Sequence, residues 1–131
     1  MEYLIDLGID DVSLKMMLEL NPEIKDLDES EIKEKTIILS NLNCSDSQIR
    51  NIVVSNSLFL TRSNNDIMKL IKKLLELSFK DLNILFDSNP FILNLEPFEI
   101  DEYINSRLKN NELLENIIDD LETNTYLFNE I

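Results

Sequence analysis

An all-α fold is predicted: a short α-solenoid of about three helix-turn-helix repeats of about 35 residues each, with a C-terminal capping helix. Three observations predict it. The 131 residues include one Gly and three Pro, too few turn residues for a sheet-rich chain, so helices on short connections are favoured. Apolar residues recur at helical spacing, as in Ile67, Leu70, Ile71, Leu74 and Leu75, which predicts a buried stripe. The chain also aligns on itself at an offset of about 35 residues.

The alignment is carried by apolar and turn positions together. Leu7-Gly8-Ile9-Asp10-Asp11 falls on Leu42-Asn43-Cys44-Ser45-Asp46 and then on Leu77-Ser78-Phe79-Lys80-Asp81. Asn21-Pro22 falls on Asn56-Ser57 and, after a two-residue deletion, on Asn89-Pro90. Counted onward from these asparagines, Ile24, Phe59 and Ile92 coincide, as do Ile32, Ile67 and Ile100, and the acids Glu31, Asp66 and Glu99. Residues 1–131 thus read as one domain with repeats at about 7–41, 42–76 and 77–109, and a C-terminal helix and tail over 110–131.

Each repeat opens with a short helix over about 11–20, 46–55 or 81–87. A tight turn follows at the Asn, then a second helix over about 29–41, 64–76 or 97–109. Ser45-Asp46-Ser47-Gln48 forms a capping box, in which the Ser oxygen accepts from the third helical N–H and Gln reaches back. Asp28 offers the same cap ahead of Glu31. Pro97 suits a first helical position, where no N–H bond is lost. Gly8 and Asn43 fall just past helix ends, where a left-handed residue is common, and Ser78 suits that place less well. Asn111–Leu121 reads as a further helix with Leu113, Leu114, Ile117, Ile118 and Leu121 apolar, able to form the first half of a fourth, truncated unit. Tyr126, Leu127 and Phe128 are expected to order part of the tail.

At these turns the chain resembles the mitochondrial transcription termination factor (mTERF) family, whose units carry an apolar residue, three others, Pro, two others and Leu. Phe86-x-x-x-Pro90-x-x-Leu93 fits. Val53-x-x-x-Ser57-x-x-Leu60 fits with Ser in place of Pro, and Leu18-x-x-x-Pro22 with Lys25 where Leu is expected, next to Ile24. Leu77-Ser78-Phe79 is similar to the family's Leu-Gly-Phe. The resemblance, over about residues 4–109, implies a right-handed α-solenoid of paired helices with short 3₁₀ turns. It also implies nucleic-acid binding along a basic concave surface, as in the better-known members. This chain departs from that pattern in its length and its charge.

The net charge is −14, unevenly placed. Residues 1–46 hold 12 acids and 4 bases (−8), residues 47–80 hold 2 acids and 6 bases (+4), and residues 81–131 hold 12 acids and 2 bases (−10). Such a field repels nucleic acid and favours cationic partners. The abundance of Leu, Ile, Asn, Lys and Glu suits an AT-rich genome, such as that of a low-GC bacterium or its phage. The N-terminus has no basic segment ahead of an apolar run, and no stretch reaches the length of a membrane helix, so a cytoplasmic protein is expected.

No catalytic, cofactor or metal site is expected. The sequence contains no His, which removes the commonest general base and the usual metal imidazole. One Gly cannot build a phosphate-cradling loop. Cys44, at the position of Ile9 and Phe79, reads as a small buried hydrophobe. Asp26-x-Asp28-x-Ser30 starts like a calcium loop, but Glu31 stands where Gly is needed and Ile37 where the bidentate Glu is needed. Glu99, Asp101 and Glu102 fall in a first helical turn, where acids suit the dipole.

Two charged surfaces are candidate partner sites. One is basic: Arg62, Lys69, Lys72, Lys73 and Lys80, with Arg50, where Lys69, Lys72 and Lys73 share the outer face of one helix. The other is an acidic ridge of Glu112, Glu115, Asp119, Asp120 and Glu122. The expected function is a non-catalytic helical-repeat module that engages a protein partner, plausibly a basic one. The alternative is an acidic DNA-mimic inhibitor of a nucleic-acid-binding enzyme, because spaced carboxylates present a row of anions as phosphates do. The third reading is nucleic-acid binding as in the mTERF-like proteins.

Overall fold

A computed structural model describes all 131 residues. It is 77% helical with no strand, well above the helix content of an average globular domain. The helices are α1 (Glu2–Asp6), α2 (Asp11–Leu20), α3 (Glu29–Asn41), α4 (Asp46–Ser55), α5 (Asn64–Glu76), α6 (Leu82–Ser88), α7 (Pro97–Leu108) and α8 (Leu114–Thr123). Single 3₁₀ turns at Pro22–Asp26, Ser57–Thr61, Pro90–Asn94 and Thr125–Glu130 follow α2, α4, α6 and α8. Helix, turn, helix is therefore the repeated element.

The chain forms two compact units, Met1–Arg62 and Ser63–Ile131. Each runs through the same order of elements: a second-type helix (α1, α3, α5 or α7), then a first-type helix (α2, α4, α6 or α8) and its 3₁₀ turn, then the same set again. In the first unit α1 packs on α3 and α2 on α4, and the two 3₁₀ turns touch. In the second unit α5 packs on α7 and α7 on α8, and its two 3₁₀ turns likewise touch.

Local chemistry sets the helix starts. The carboxylates of Asp10 and Asp28 accept from Ser13 N (2.7 Å) and Glu31 N (3.0 Å). These bonds to backbone and serine donors hold both carboxyls below the usual carboxylate range. Ser45 and Gln48 complete the capping box, and Ser63 caps α5 through Asp66 N. Pro97 opens α7, where Glu99 accepts from Glu96 N at 2.9 Å. The helix ends use left-handed residues: Gly8 at φ 102°, Asn43 and Ser78 at φ 70°, and Asn111 at φ 65°. Ser78 takes the same conformation as Asn43, and at both ends two backbone N–H groups close onto the last turn: Ser78 N and Phe79 N on Leu75 O and Leu74 O, Asn43 N and Cys44 N on Ser40 O and Leu39 O. Asp81, at φ 46°, delays α6 by one residue.

The first-type helices all end alike, on asparagines of nearly one backbone conformation: Asn21, Asn56, Asn89 and Asn124. Asn124 gives α8 and its 3₁₀ turn the same junction as the three before it. Two of these asparagines bind the next turn along in equivalent ways. In the first unit Asn21 Nδ2 donates to Ser57 O (3.1 Å) and Thr61 Oγ1 (2.9 Å). In the second, Asn89 Nδ2 donates to Thr125 O (2.9 Å) and Asn129 Oδ1 (3.0 Å). A buried amide that finds two acceptors avoids the cost of an unsatisfied polar group.

The apolar positions named by the alignment are buried: Ile24, Phe59 and Ile92, and Ile32, Ile67 and Ile100. Cys44 is buried beside them in the pattern. Three expectations are corrected. Leu75 is 55% exposed, because it lies at the edge of the α5 stripe rather than on it. The last helix begins at Leu114 rather than Asn111, since α7 ends in a turn that runs through the left-handed Asn111. This leaves Leu113 and Leu114 exposed, while Ile117, Ile118 and Leu121 face the core. In the tail, Phe128 is buried and packs on Phe79 with ring centroids 5.9 Å apart, whereas Tyr126 points outward.

Candidate functional site

The basic residues have different surroundings. In the first unit Arg50 reaches back from α4 and donates from Nη1 to Leu7 O at 3.1 Å. It thereby caps the end of α1, and its side chain passes so close to Gly8 that a Cβ there would lie 3.2 Å from Arg50 Cδ. Arg62 closes the first unit and is half-buried.

In the second unit Lys69, Lys72 and Lys80 are exposed. Lys73, expected on the same outer face, instead turns onto α7 and pairs with Asp101 at 3.0 Å, with its side chain 25% exposed. Lys73 falls one residue from Lys72, a 100° step that takes it to the α7 side of α5. Lys72 has Glu76 one turn along, at 4.0 Å. Exposed bases near a carboxylate hold weak, salt-screened pairs. Met68 and Leu75, both about half exposed, line a shallow apolar surface with Ile71, bordered by Lys72 and Glu76.

The acidic ridge also divides. Glu112 and Asp120 both turn to Arg107, at the end of α7. Arg107 donates to Glu112 through Nε (2.9 Å) and Nη2, and Nη1 pairs with Asp120 at 2.9 Å. Arg107 also reaches Tyr103 Oη at 3.2 Å. Its guanidinium pKa is raised, chiefly by Glu112, and both carboxyls are held low: Glu112 by Arg107, and Asp120 by Asn124 first and Arg107 second. Glu122 accepts from Lys80 N at 3.2 Å. Glu115 and Asp119 alone of the five stay exposed on α8, one turn apart. With Leu77, Leu114 and Ile118 they line a shallow groove. The ridge is thus a helix clamp of two carboxylates, one carboxylate on Lys80 N and two outward carboxylates.

Arg107 was legible from the repeat register. It occupies the position filled by Leu39 and Leu74, which are fully buried, so an ionic contact stands where the other repeats place a core leucine. A second feature lies on α2, where Val12, Met16 and Leu20 are 72%, 54% and 70% exposed. Their i, i+4, i+8 spacing sets them in a row on the outward face, beside the charged row Asp11, Lys15 and Glu19. Counting back from the conserved register of the terminal asparagines was the available signal.

No group of three or more His, Cys, Asp or Glu gathers where it could hold a metal. Asp26 and Asp28 lie around the start of α3, and the Asp28 carboxylate is engaged with Ser30 Oγ and Glu31 N. No helix is long and apolar enough to cross a membrane. The chain matches the mTERF family over residues 1–116. No curated protein matches it.

Proposed function

Given that the chain belongs to the mTERF family, we propose that it is a non-catalytic helical-repeat module whose partner is a protein. The observation that carries this reading is the disposition of the bases. Arg50 is bound to Leu7 O and Lys73 to Asp101, so two of the six bases of residues 47–80 hold the fold together rather than offering charge to phosphate. Phosphate recognition gains affinity from each cation that neutralises a backbone charge, and a net charge of −14 opposes it. Exposed apolar residues on α2 and α5 are surfaces that a protein partner buries.

Family membership itself supports a second reading, binding of nucleic acid, with Lys69, Lys72 and Lys80 as the exposed bases available to it. The DNA-mimic reading has less support, because three of its five carboxylates are engaged within the protein. Affinity capture from a lysate of the expressing cell, with and without nuclease treatment, tests the proposal. A protein retained after nuclease treatment and through a high-salt wash supports it. Capture that disappears with nuclease, or nucleic acid as the only retained species, overturns it.

A further inference from the structure

The four first-type helices provide an internal comparison. Counted from the terminal asparagine of each, the outward positions of α2 hold Val12, Met16 and Leu20. The same positions hold Ser47, Asn51 and Ser55 in α4, and Glu115, Asp119 and Thr123 in α8, all exposed. In α6, Ile84 and Ser88 take the last two places. The fold therefore accepts polar side chains at every one of these positions, and packing does not demand the apolar residues of α2. A continuous apolar row on a solvent-facing helix is unfavourable to solubility and marks a contact surface.

Resting on the reading above of a protein partner, we infer that the outer face of α2 is a docking surface for a cationic amphipathic helix. Val12, Met16 and Leu20 make a row about 12 Å long, from the rise of an α-helix. That is the length over which a partner helix presents two or three apolar anchors at i and i+4. The rim selects the charge. Asp10, Asp11, Glu19 and Glu23, all exposed, lie on α2 and at its two ends, against Lys15 on the helix, Lys25 on the following turn and Arg50 across the groove, so acids outnumber bases there. A rim of carboxylates around an apolar centre steers and orients a Lys- or Arg-flanked helix and repels an acidic one. The same excess of acid disfavours a second copy of this chain, which would bring like charge to like. Beside the row, Ser13 and Asp10 open a shallow groove towards α4, shared with Arg50, Asn51 and Val54.

The test uses the full chain and a leucine–lysine peptide of about five helical turns whose leucines fall on one face. A peptide of the same composition with its sequence scrambled, and no apolar face, is the control. Titrations at about 150 mM salt, where charges act over about 8 Å, are expected to show the amphipathic peptide binding at least about tenfold more tightly than the scrambled one. Val12→Ser, Met16→Asn and Leu20→Ser together, the residues α4 carries at the same positions, should abolish that difference. Ile84→Asn on α6 should leave it intact. If the triple variant melts early, Met16→Asn alone should still reduce the difference at least threefold, or about 0.7 kcal/mol.

Equal binding of the two peptides would reduce the effect to bulk charge and overturn the inference, as would a difference that survives the triple variant. Sedimentation of the peptide-free protein as a dimer, lost in the triple variant, would assign the surface to a second copy and overturn it too. If the triple variant still captures a nuclease-resistant protein partner from lysate, this surface is wrong while the protein-binding reading stands.

Discussion

Arg107 and Glu112, five residues apart across the turn from α7 to α8, are joined by two guanidinium–carboxylate hydrogen bonds, from Nε at 2.9 Å and from Nη2. This two-pronged pair is the strong, directional form of an ion pair. Because Asp120 on α8 shares the same guanidinium, the clamp attaches α8 to α7 at a place where the other repeats use a leucine.

The clamp predicts an acid-labile α8. Both carboxyls have lowered pKa values in the fold, relative to ordinary values of 4.5 for Glu112 and 3.8 for Asp120. Their contribution is therefore present above the ordinary carboxylate range and is lost as pH falls through the lowered values. Hydrogen exchange should show the amides of α8 losing protection below about pH 4 before those of α5 do. Arg107→Gln should weaken α8 already at neutral pH and shrink the acid step to the part that Asn124 gives Asp120. An acid step of unchanged size in Arg107→Gln would assign it to the Asp120–Asn124 hydrogen bond instead of the clamp.

The two asparagine bridges predict a matched pair of losses. Asn21→Ala leaves Ser57 O and Thr61 Oγ1 without the amide that bridges them, and Asn89→Ala does the same to Thr125 O and Asn129 Oδ1. Each should cost about 1–3 kcal/mol in urea melts, the range for buried polar groups left unpaired. Costs below about 0.5 kcal/mol, typical of surface changes, would mean that water replaces the amide in both turns.

Lys35 predicts a gain. It is 6% exposed and stands at the repeat position of Leu70, which is fully buried. Burial lowers the pKa of its ammonium, against the raising effect of Glu34 and Glu31. A base lowered in the fold costs stability while it is charged, and that cost fades as pH rises towards its ordinary value of 10.5. Lys35→Leu should therefore stabilise by about 0.5–2 kcal/mol at neutral pH and flatten the rise in stability on the alkaline side. Destabilisation in a thermal melt would show that the aliphatic stem and a solvated ammonium already satisfy the site.

The repeats, their caps and the Ile32, Ile67, Ile100 core layer were legible in the sequence because each rests on local spacing: 3.6 residues per turn, a cap three residues from its donor, a turn at a fixed offset. Leu75 was misread because a side chain at the edge of an apolar stripe has the same spacing as one at its centre. Lys73 was misread for the related reason that a one-residue step around α5 separates solvent from α7. The candidate site was less legible. Glu112 and Asp120 look like neighbours of Glu115 on one acidic face, and only the approach of Arg107, five and thirteen residues away across a turn, separates them. The outward row on α2 merges, in a plain hydrophobicity reading, with Leu14, Met17 and Leu18 on the opposite face. Comparison among repeat copies, position by position, is what distinguishes the two faces.

The last prediction concerns nucleic acid, where family membership and charge point in opposite directions. Binding a polyanion brings the phosphates against 14 net negative charges, and each phosphate contact needs a cation free to make it. Screening at physiological salt confines each charge to about 8 Å, so a local cluster could still act within an acidic protein. On the second unit the exposed bases are Lys69 and Lys72 on α5 and Lys80 beyond its end, beside Glu122, with Lys73 held by Asp101 and Glu76 near Lys72. Three exposed lysines give few counterions to release. Duplex DNA is therefore expected to bind no more tightly than about 10 μM at about 150 mM salt, orders of magnitude weaker than a typical specific site. Fluorescence anisotropy with random and AT-rich duplexes measures this directly. Sub-micromolar binding that weakens with salt, and that Lys69→Glu with Lys72→Glu abolishes, would show that these lysines outweigh the global charge and that phosphate recognition is retained.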